Sequence, residues 1–320
     1  MSRPIVYLTQ EVHKDVIKLI RSRFTLRIIR KSGPRSLESL RSAARKADAL
    51  VPMLQDRIDQ TVLSAGKRLK IVANYAVGVN NIDLSAAKNA GIVVTNTPGV
   101  LTDATADLTM ALILGLMRRL SDGERLARSG RWKGWGPTEL LGLHVTGKTI
   151  GIIGMGRIGQ AVAERMKGFR ARILYWQRTR LSHEEEGRLL AEYVPIDRLL
   201  AKADIVTLHT PLTGNTHHLI GKKEISRMKR SAILVNTSRG PVVDEKALIE
   251  ALAKRRIWGA GLDVYEEEPK IPLRLRRLPN VLLLPHLGSA TEETRIAMGM
   301  LVFENLTAFF SGQEPLTRVV

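Results

Sequence analysis

Cysteine is absent from the 320 residues, which excludes disulfides, thiolate nucleophiles and cysteine-ligated metals. Aromatic residues make up only 4% of the chain, and none of the basic runs alternates with them. Long apolar runs are missing too. The longest, around Leu108–Met117, covers about three helical turns before Arg118 and Arg119 close it. It is too short to span a bilayer and suits a buried core helix. Acidic residues are in deficit, 31 Asp and Glu against 50 Lys and Arg, leaving a formal charge of +19.

A basic chain invites a nucleic-acid reading. The cations are scattered, however, over Arg21–Lys31, Arg165–Arg180, Lys222–Arg230, Lys254–Arg256 and Arg274–Arg277. That distribution argues against nucleic acid as the principal partner and fits a solvated surface that attracts small anions. The opening residues run straight into a strand-like Ile5–Leu8 without a signal-peptide pattern, so a cytoplasmic location and no membrane partner are expected.

A length of 320 residues with 44% hydrophobic content can bury two cores of ordinary size. Short Val- and Ile-rich runs at Ile5–Leu8, Leu26–Ile29, Ala49–Val51, Ile71–Ala73 and Ile92–Thr95 read as buried strands. Helical patterns such as Glu11–Arg21 and Leu37–Arg45 separate them. Alternating strand and helix implies a parallel sheet. Asp103–Leu120 reads as one helix with an acidic start and a basic end. The stretch Gly123–Gly142, with Trp132 and Trp135, reads as a loop that a partner subunit could cover. Alternation restarts at Lys148 with strands expected at Thr149–Ile153, Ala171–Trp176, Ile205–His209, Ile233–Asn236, Gly259–Asp263 and Val281–Leu284, a six-stranded doubly wound count. Glu292–Phe310 reads as a last helix.

Thr149–Ile153 runs into Gly154-Met155-Gly156-Arg157-Ile158-Gly159 and then an amphipathic helix, Gln160–Lys167. Strand, Gly-x-Gly-x-x-Gly and helix in that order form a dinucleotide cradle: a tight turn, a close backbone approach to the pyrophosphate, and a helix N-terminus that attracts phosphate. Roughly 20 residues further on, NAD-binding domains place a carboxylate for the ribose. Here the chain reads Tyr175-Trp176-Gln177-Arg178-Thr179-Arg180, with no acid and two guanidiniums. A 2'-phosphate is held by Arg and repelled by Asp, so NADP is the expected cofactor, with NAD as the alternative.

Three further segments follow apolar strands: Asn236-Thr237-Ser238-Arg239-Gly240, Gly259–Tyr265 leading into Glu266-Glu267-Glu268-Pro269, and Leu284-Pro285-His286-Leu287-Gly288. An Arg, a Glu and a His at strand ends are what reduction of a 2-oxo acid needs. Arg offers a planar fork for a carboxylate, and His exchanges a proton near neutral pH. Glu266 and Glu267 read as solvated. His13, His144, His183, His217 and His218 read as structural or exposed, and His209 lies beside the Thr210-Pro211 turn.

With these motifs in this order over essentially its whole length, the sequence resembles the D-isomer-specific 2-hydroxyacid dehydrogenases. The resemblance implies that Arg239 grips the substrate carboxylate, His286 is the acid/base, and Glu268 partners the histidine and favours its imidazolium form. It implies that Leu54, Val77 and Gly78 contact substrate together with Arg239 and His286. It also implies cofactor contacts at Thr105, Gly154, Met155, Gly156, Arg157, Ile158, Gly159, Gln177, Arg178, Thr179, Thr210, Pro211, Thr237, Ser238, Arg239, Asp263, His286 and Gly288.

Phosphite dehydrogenases carry a lysine where this chain has Val77, and formate dehydrogenases carry a glutamine where it has Glu268. The subfamily that looks most similar is the glyoxylate/hydroxypyruvate reductases. Phosphoglycerate dehydrogenase is the enzymatic alternative, and a nucleotide-sensing co-repressor-like protein is the non-enzymatic one. The fold expected is α/β, with two doubly wound parallel-sheet domains. A Rossmann cofactor domain (residues 100–289) is inserted into a flavodoxin-like substrate domain (residues 1–99 plus 290–320), with the active site in the cleft between them. A homodimer joined through the cofactor domains, with Trp132 and Trp135 at the contact, and a small anionic 2-oxo or 2-hydroxy acid are the expected partners. No metal is expected.

Overall fold

The computed structural model describes residues 3–29 and 35–320. Arg30 and Lys31, part of the first basic run, lie outside the described residues. The chain divides into two units, one built from residues up to Leu101 together with Ser289–Val320, the other from Thr102–Gly288.

In the first unit β1 (Ile5–Leu8), α1 (Lys14–Arg23), β2 (Thr25–Ile28), α2 (Leu37–Lys46), β3 (Ala49–Val51), α3 (Gln60–Ala65), β4 (Ile71–Ala73), α4 (Leu84–Asn89) and β5 (Val93–Thr95) alternate along the chain. The sheet order is β2-β1-β3-β4-β5, all parallel, which is the flavodoxin-like arrangement. Strands β3 and β4 are buried throughout, which is why they read as unbroken apolar runs.

In the second unit α5 (Thr102–Met117), α6 (Leu120–Arg128), β6 (Thr149–Ile153), α7 (Arg157–Lys167), β7 (Arg172–Trp176), α8 (His183–Leu189), β8 (Ala191–Tyr193), α9 (Ile196–Lys202), β9 (Ile205–Leu208), α10 (Lys222–Arg227), β10 (Ile233–Asn236), α11 (Glu245–Ala253), β11 (Gly259–Leu262), α12 (Leu273–Arg276) and β12 (Val281–Leu283) follow. The parallel sheet runs β12-β11-β10-β9-β6-β7-β8. Strand order reverses between β6 and β9, and a doubly wound sheet opens its ligand crevice at such a point, outside the carboxyl ends of the strands.

The last helix, α13 (Glu292–Phe310), belongs to the first unit. Its Met298, Val302 and Leu306 join Val16, Ile17, Ile20 and Phe24 of the α1 region in one core cluster. Beyond it the chain pairs with β5, where Val319 N–H donates to Val94 O at 2.7 Å.

Three expectations need correction. The second sheet has seven strands, because the short edge strand β8, with exposed Glu192, shows no apolar run. The single helix expected over Asp103–Leu120 ends at Met117, since Arg119 adopts a left-handed backbone with φ 53°. A second helix, α6, then occupies the start of the expected loop, supported by the ion pairs Arg125–Asp122 and Arg128–Glu124 on its surface. The core reading of Leu108–Met117 stands, with Met110, Leu112, Ile113, Leu116 and Met117 buried. No helix among the described residues is long and apolar enough to cross a membrane.

Candidate active site

The glycine-rich turn leaves β6 at Gly154, whose φ of +95° is a left-handed conformation that glycine adopts without strain. A side chain there would also strike the His209 backbone at 2.7 Å, which keeps the ends of β6 and β9 together at the order reversal. A Cβ on Gly159 would lie 2.1 Å from Gly154 O, so α7 can pack this tightly only on glycine. Gly156 caps α7 without a side-chain hydrogen bond, and a Cβ there would enter open space. No acceptor among the described residues meets the N–H groups of Arg157 and Ile158. The buried Thr210 hydroxyl also has no hydrogen-bond partner among the described residues. Open donors at a helix N-terminus, an empty cradle above glycine and an orphaned hydroxyl at the crevice together fit a dinucleotide pyrophosphate.

Gln177 ties this cradle to the end of β7. Its Oε1 accepts from Met155 N–H at 3.0 Å and its Nε2 donates to Thr179 O at 2.6 Å. Arg178 is exposed and has no hydrogen bond or ion pair with any described residue. Arg180, also read as free to meet a phosphate, is instead engaged: its Nε and Nη2 both donate to the Glu186 carboxylate at 2.8 Å. Sequence could not show that partner, because Glu186 approaches from the next helix.

Arg239, Glu268 and His286 all lie in the second unit, just beyond the ends of β10, β11 and β12. His286 Nδ1 is 2.7 Å from Glu268 Oε2, and Glu268 Oε1 accepts from Tyr265 N–H at 3.1 Å. The carboxylate is therefore held by both oxygens. The other ring nitrogen of His286, Nε2, meets no group among the described residues. His286 has a φ of 57°, a strained backbone for a side-chain-bearing residue.

The cause of that strain is visible. Asp263, nearly fully buried, accepts from Leu287 N–H at 2.6 Å and from Gly288 N–H at 2.8 Å, clamping the turn that carries the histidine. Burial raises the Asp263 carboxyl above its ordinary value, while the Leu287 N–H and His286 oppose it.

Arg239 has no carboxylate within ion-pair distance among the described residues, and donates from Nη1 to the Ser238 carbonyl at 2.6 Å. Burial pulls its guanidinium below the ordinary value, and the nearby Glu268 charge works against that. Asn236 shapes its loop, accepting from Ser238 N–H and Oγ at 3.0 and 2.8 Å and donating to Arg239 O at 2.9 Å. A Cβ on Gly240 would lie 1.9 Å from Tyr265 C and O, so the Arg239 loop rests directly on the Glu268 loop.

Several expected cofactor residues bond to one another. Thr105 Oγ1 donates to Gly288 O at 3.0 Å, and Thr109 Oγ1, 2.9 Å from Thr237 Oγ1, donates to Thr105 O at 2.8 Å. This ladder locks α5 to the ends of β10 and β12. Sequence reading missed Asn236, Thr109, Tyr265 and Gly240. Only the strand-end position of Asn236 and Tyr265 signalled them.

Glu266, read as solvated, is anchored: its Oε1 lies 2.6 Å from His218 Nε2 and accepts from Glu245 N–H at 3.2 Å. Glu267 is exposed as expected. His209 is half-buried, with Nε2 3.0 Å from Thr207 Oγ1, and desolvation of its ring pulls its pKa to about 3. It stays neutral at physiological pH. No cluster of His, Asp or Glu among the described residues is arranged to hold a metal.

The remaining expected residues lie in the first unit. Leu54 follows β3, and Val77 and Gly78 follow β4. Asn81 joins the two loops by donating to Met53 O at 3.2 Å and Asp56 O at 3.3 Å, and Asn74 Nδ2 donates to Gly78 O at 2.9 Å. The N–H groups of Val77 and Gly78 meet no acceptor among the described residues.

Comparison with known proteins agrees with this geometry. Residues 110–288 match the D-isomer specific 2-hydroxyacid dehydrogenase, NAD binding domain. The glyoxylate reductase of Thermococcus litoralis is 49% identical over 319 residues, covering 98% of this chain and 96% of the relative. A crystal structure of a Thermus thermophilus protein superposes with a TM-score of 0.92 at 44% identity, covering 99% of this chain and all of that one. The NADPH-dependent glyoxylate/hydroxypyruvate reductase of Sinorhizobium meliloti, solved with NADP and malonate, superposes with a TM-score of 0.88 at 35% identity over 100% of this chain and 97% of its own. With a dinucleotide cradle at the sheet's order reversal and an Arg–Glu–His set at neighbouring strand ends, the chain belongs to the D-isomer-specific 2-hydroxyacid dehydrogenase family.

Proposed function

We propose that the protein reduces glyoxylate or hydroxypyruvate to the 2-hydroxy acid, of D configuration where C2 becomes chiral, using NADPH. The observation that carries this reading is Arg239, a desolvated guanidinium without a carboxylate partner among the described residues, in the field of the Glu268–His286 pair. A desolvated cation is costly unless something anionic completes it, and a 2-oxo acid brings a carboxylate and a carbonyl oxygen suited to a planar fork.

When bound, the nicotinamide would supply hydride chemistry at the substrate C2. His286 Nε2 donates the balancing proton to the carbonyl oxygen and leaves a neutral imidazole whose Nδ1–H stays on Glu268. Tyr265 N–H and the Asp263 clamp keep the ring from turning. The free N–H groups of Val77 and Gly78 suit a carboxylate oxygen, and Leu54 offers an apolar surface to a short side chain.

Preference for NADPH rests on Arg178, exposed and unpartnered among the described residues, at a strand end that carries no carboxylate. The NADP-bound reductase of Sinorhizobium meliloti is similar over the whole chain. Trp132 and Trp135 are 60% and 84% exposed and Leu141 64%, an apolar group that suits burial in a homodimer.

The test is a kinetic panel of glyoxylate, hydroxypyruvate, pyruvate and 3-phosphohydroxypyruvate with NADPH and with NADH. Glyoxylate or hydroxypyruvate with NADPH is expected to give the highest kcat/KM. A best rate with the phosphorylated substrate points to phosphoglycerate dehydrogenase. Cofactor binding without turnover of any 2-oxo acid overturns the enzymatic reading.

A further inference from the structure

The loop that would meet the adenosine ribose is stapled from behind. Glu186 on α8 is only 9% exposed, and its carboxylate is a hub. Oε1 accepts from Tyr175 Oη at 2.6 Å and from Arg180 Nε at 2.8 Å, while Oε2 accepts from Arg180 Nη2 at 2.8 Å. Tyr175 Oη in turn accepts from Leu181 N–H at 3.0 Å. The end of β7, both residues that close the loop and the following helix are thereby joined.

The Arg180 guanidinium also lies over the Tyr193 ring, 5.7 Å from its centroid, and Tyr193 packs edge-on against Tyr175. Arg180 holds the Glu186 carboxyl at about 2, well below the usual carboxylate range, with Tyr175 assisting. Burial pushes the Tyr175 hydroxyl up to about 12, with Glu186 adding to the rise. The staple therefore keeps one charge state across the neutral range. On the open side of the same loop Gln177 spans Met155 and Thr179, leaving Arg178 as its unpartnered cation among the described residues.

We propose that Glu186 is a positioning residue for cofactor choice: through Arg180 and Tyr175 it fixes residues 177–181 so that Arg178 and Thr179 face a 2'-phosphate, and Arg180 serves as loop staple, not as phosphate ligand. This inference rests on the NADP reading above. A bidentate Arg–carboxylate pair whose carboxylate is buried has a fixed geometry, and a pre-set loop spends less of its binding energy on ordering.

The staple is tested by calorimetric titration with 2'-phospho-ADP-ribose and with ADP-ribose, alongside KM for NADPH and for NADH. Wild-type protein is expected to bind the phosphorylated fragment about tenfold or more tighter, the worth of one charge-assisted hydrogen bond. Glu186→Gln is expected to remove most of that ratio and raise KM for NADPH, with ADP-ribose affinity and kcat at saturating cofactor unchanged. Glu186→Asp should restore part of it. Tyr175→Phe, a change of one buried hydroxyl that preserves the packing, should reduce the ratio by a smaller factor and guards against misfolding of the Glu186 variants.

A ratio that survives both Glu186→Gln and Tyr175→Phe overturns the inference. So does a ratio that rises in Glu186→Gln, because the released Arg180 would then be a phosphate ligand. A wild-type ratio near one removes the NADP reading, and this inference with it.

Discussion

Replacing Gly240 by alanine places a methyl carbon 1.9 Å from both the carbonyl carbon and oxygen of Tyr265 and 2.5 Å from Glu266 N. Comfortable carbon contacts lie at about 3.5–4.0 Å, so two backbone segments must separate by roughly 1.5 Å. Neither has a flexible side-chain end to yield. One segment carries Arg239 and the other leads into Glu268, so the substitution drives a wedge between the proposed carboxylate grip and the residue paired with His286. Overpacking of this kind costs about 1–3 kcal/mol. In a unit of 187 residues, Thr102–Gly288, that corresponds to a fall of roughly 2–12 °C in melting temperature.

Activity should suffer more, because a displacement of about 1 Å at a reacting centre can cost on the order of 10²-fold. Rates followed by NADPH absorbance, with thermal melts of the same samples, separate the two effects. Measured well below the melting transition, kcat/KM should fall far more than cofactor affinity, which depends chiefly on Gly154–Gly159. A Gly240→Ala enzyme with wild-type kcat/KM and melting temperature would refute the close packing of these two loops.

Arg239→Lys keeps the charge and loses the planar fork; kcat/KM for glyoxylate should collapse, and unchanged kcat and KM would rule out bidentate carboxylate binding. His209, with its pKa lowered to about 3, binds its proton in the unfolded chain near pH 6.5 but not in the folded one. Stability should therefore fall as pH drops from about 6.5 towards 3, by up to about 1.4 kcal/mol per pH unit from this group. Urea midpoints of wild type and His209→Gln at pH 7 and 5 check this, since the variant should lose less on acidification; equal losses would discard the assignment. Trp135→Glu should shift a dimer towards monomer in sedimentation velocity, and an unaltered dimer would remove this residue from the contact.

Parallel strands that expose little on either face are written as short apolar runs, so β1, β3, β4, β6 and β10 were legible to the residue. The edge strand β8 was not, because a strand with one open side need not be apolar. Helix α6 was hidden behind Gly123, since its support comes from surface ion pairs and not from a buried stripe. In the site, the pairing of Glu268 with His286 that the resemblance implied is present at 2.7 Å. The supports of the site were not legible. That Asp263 clamps two amides, that Arg180 is spent on Glu186, and that Gly240 rests on Tyr265 are facts of long-range contact. No local pattern encodes which acid will meet which amide. The scattered charge gave a half-correct picture: Arg165 braces α7 against Asp103 and Asp107 of α5, and Arg256 donates to the Met228 and Ser226 carbonyls, so part of the basic surplus is structural.

The first unit is closed by a segment made only after the whole second unit. Helix α1 and the residue after it present Val16, Ile20 and Phe24 to Met298, Val302 and Leu306 of α13, and Phe24 meets the rings of Phe303 and Phe310. On a ribosome adding about 5–20 residues per second, the 187 residues of the second unit separate the two halves of that core by roughly 10–40 s. During that interval the α1 face has no native cover, whereas the second unit contains all of its own strands and can fold as it emerges. Truncation just before α13 would accordingly leave a folded nucleotide-binding unit joined to a sticky, half-covered sheet, and chaperone demand should track the time needed to synthesise α13.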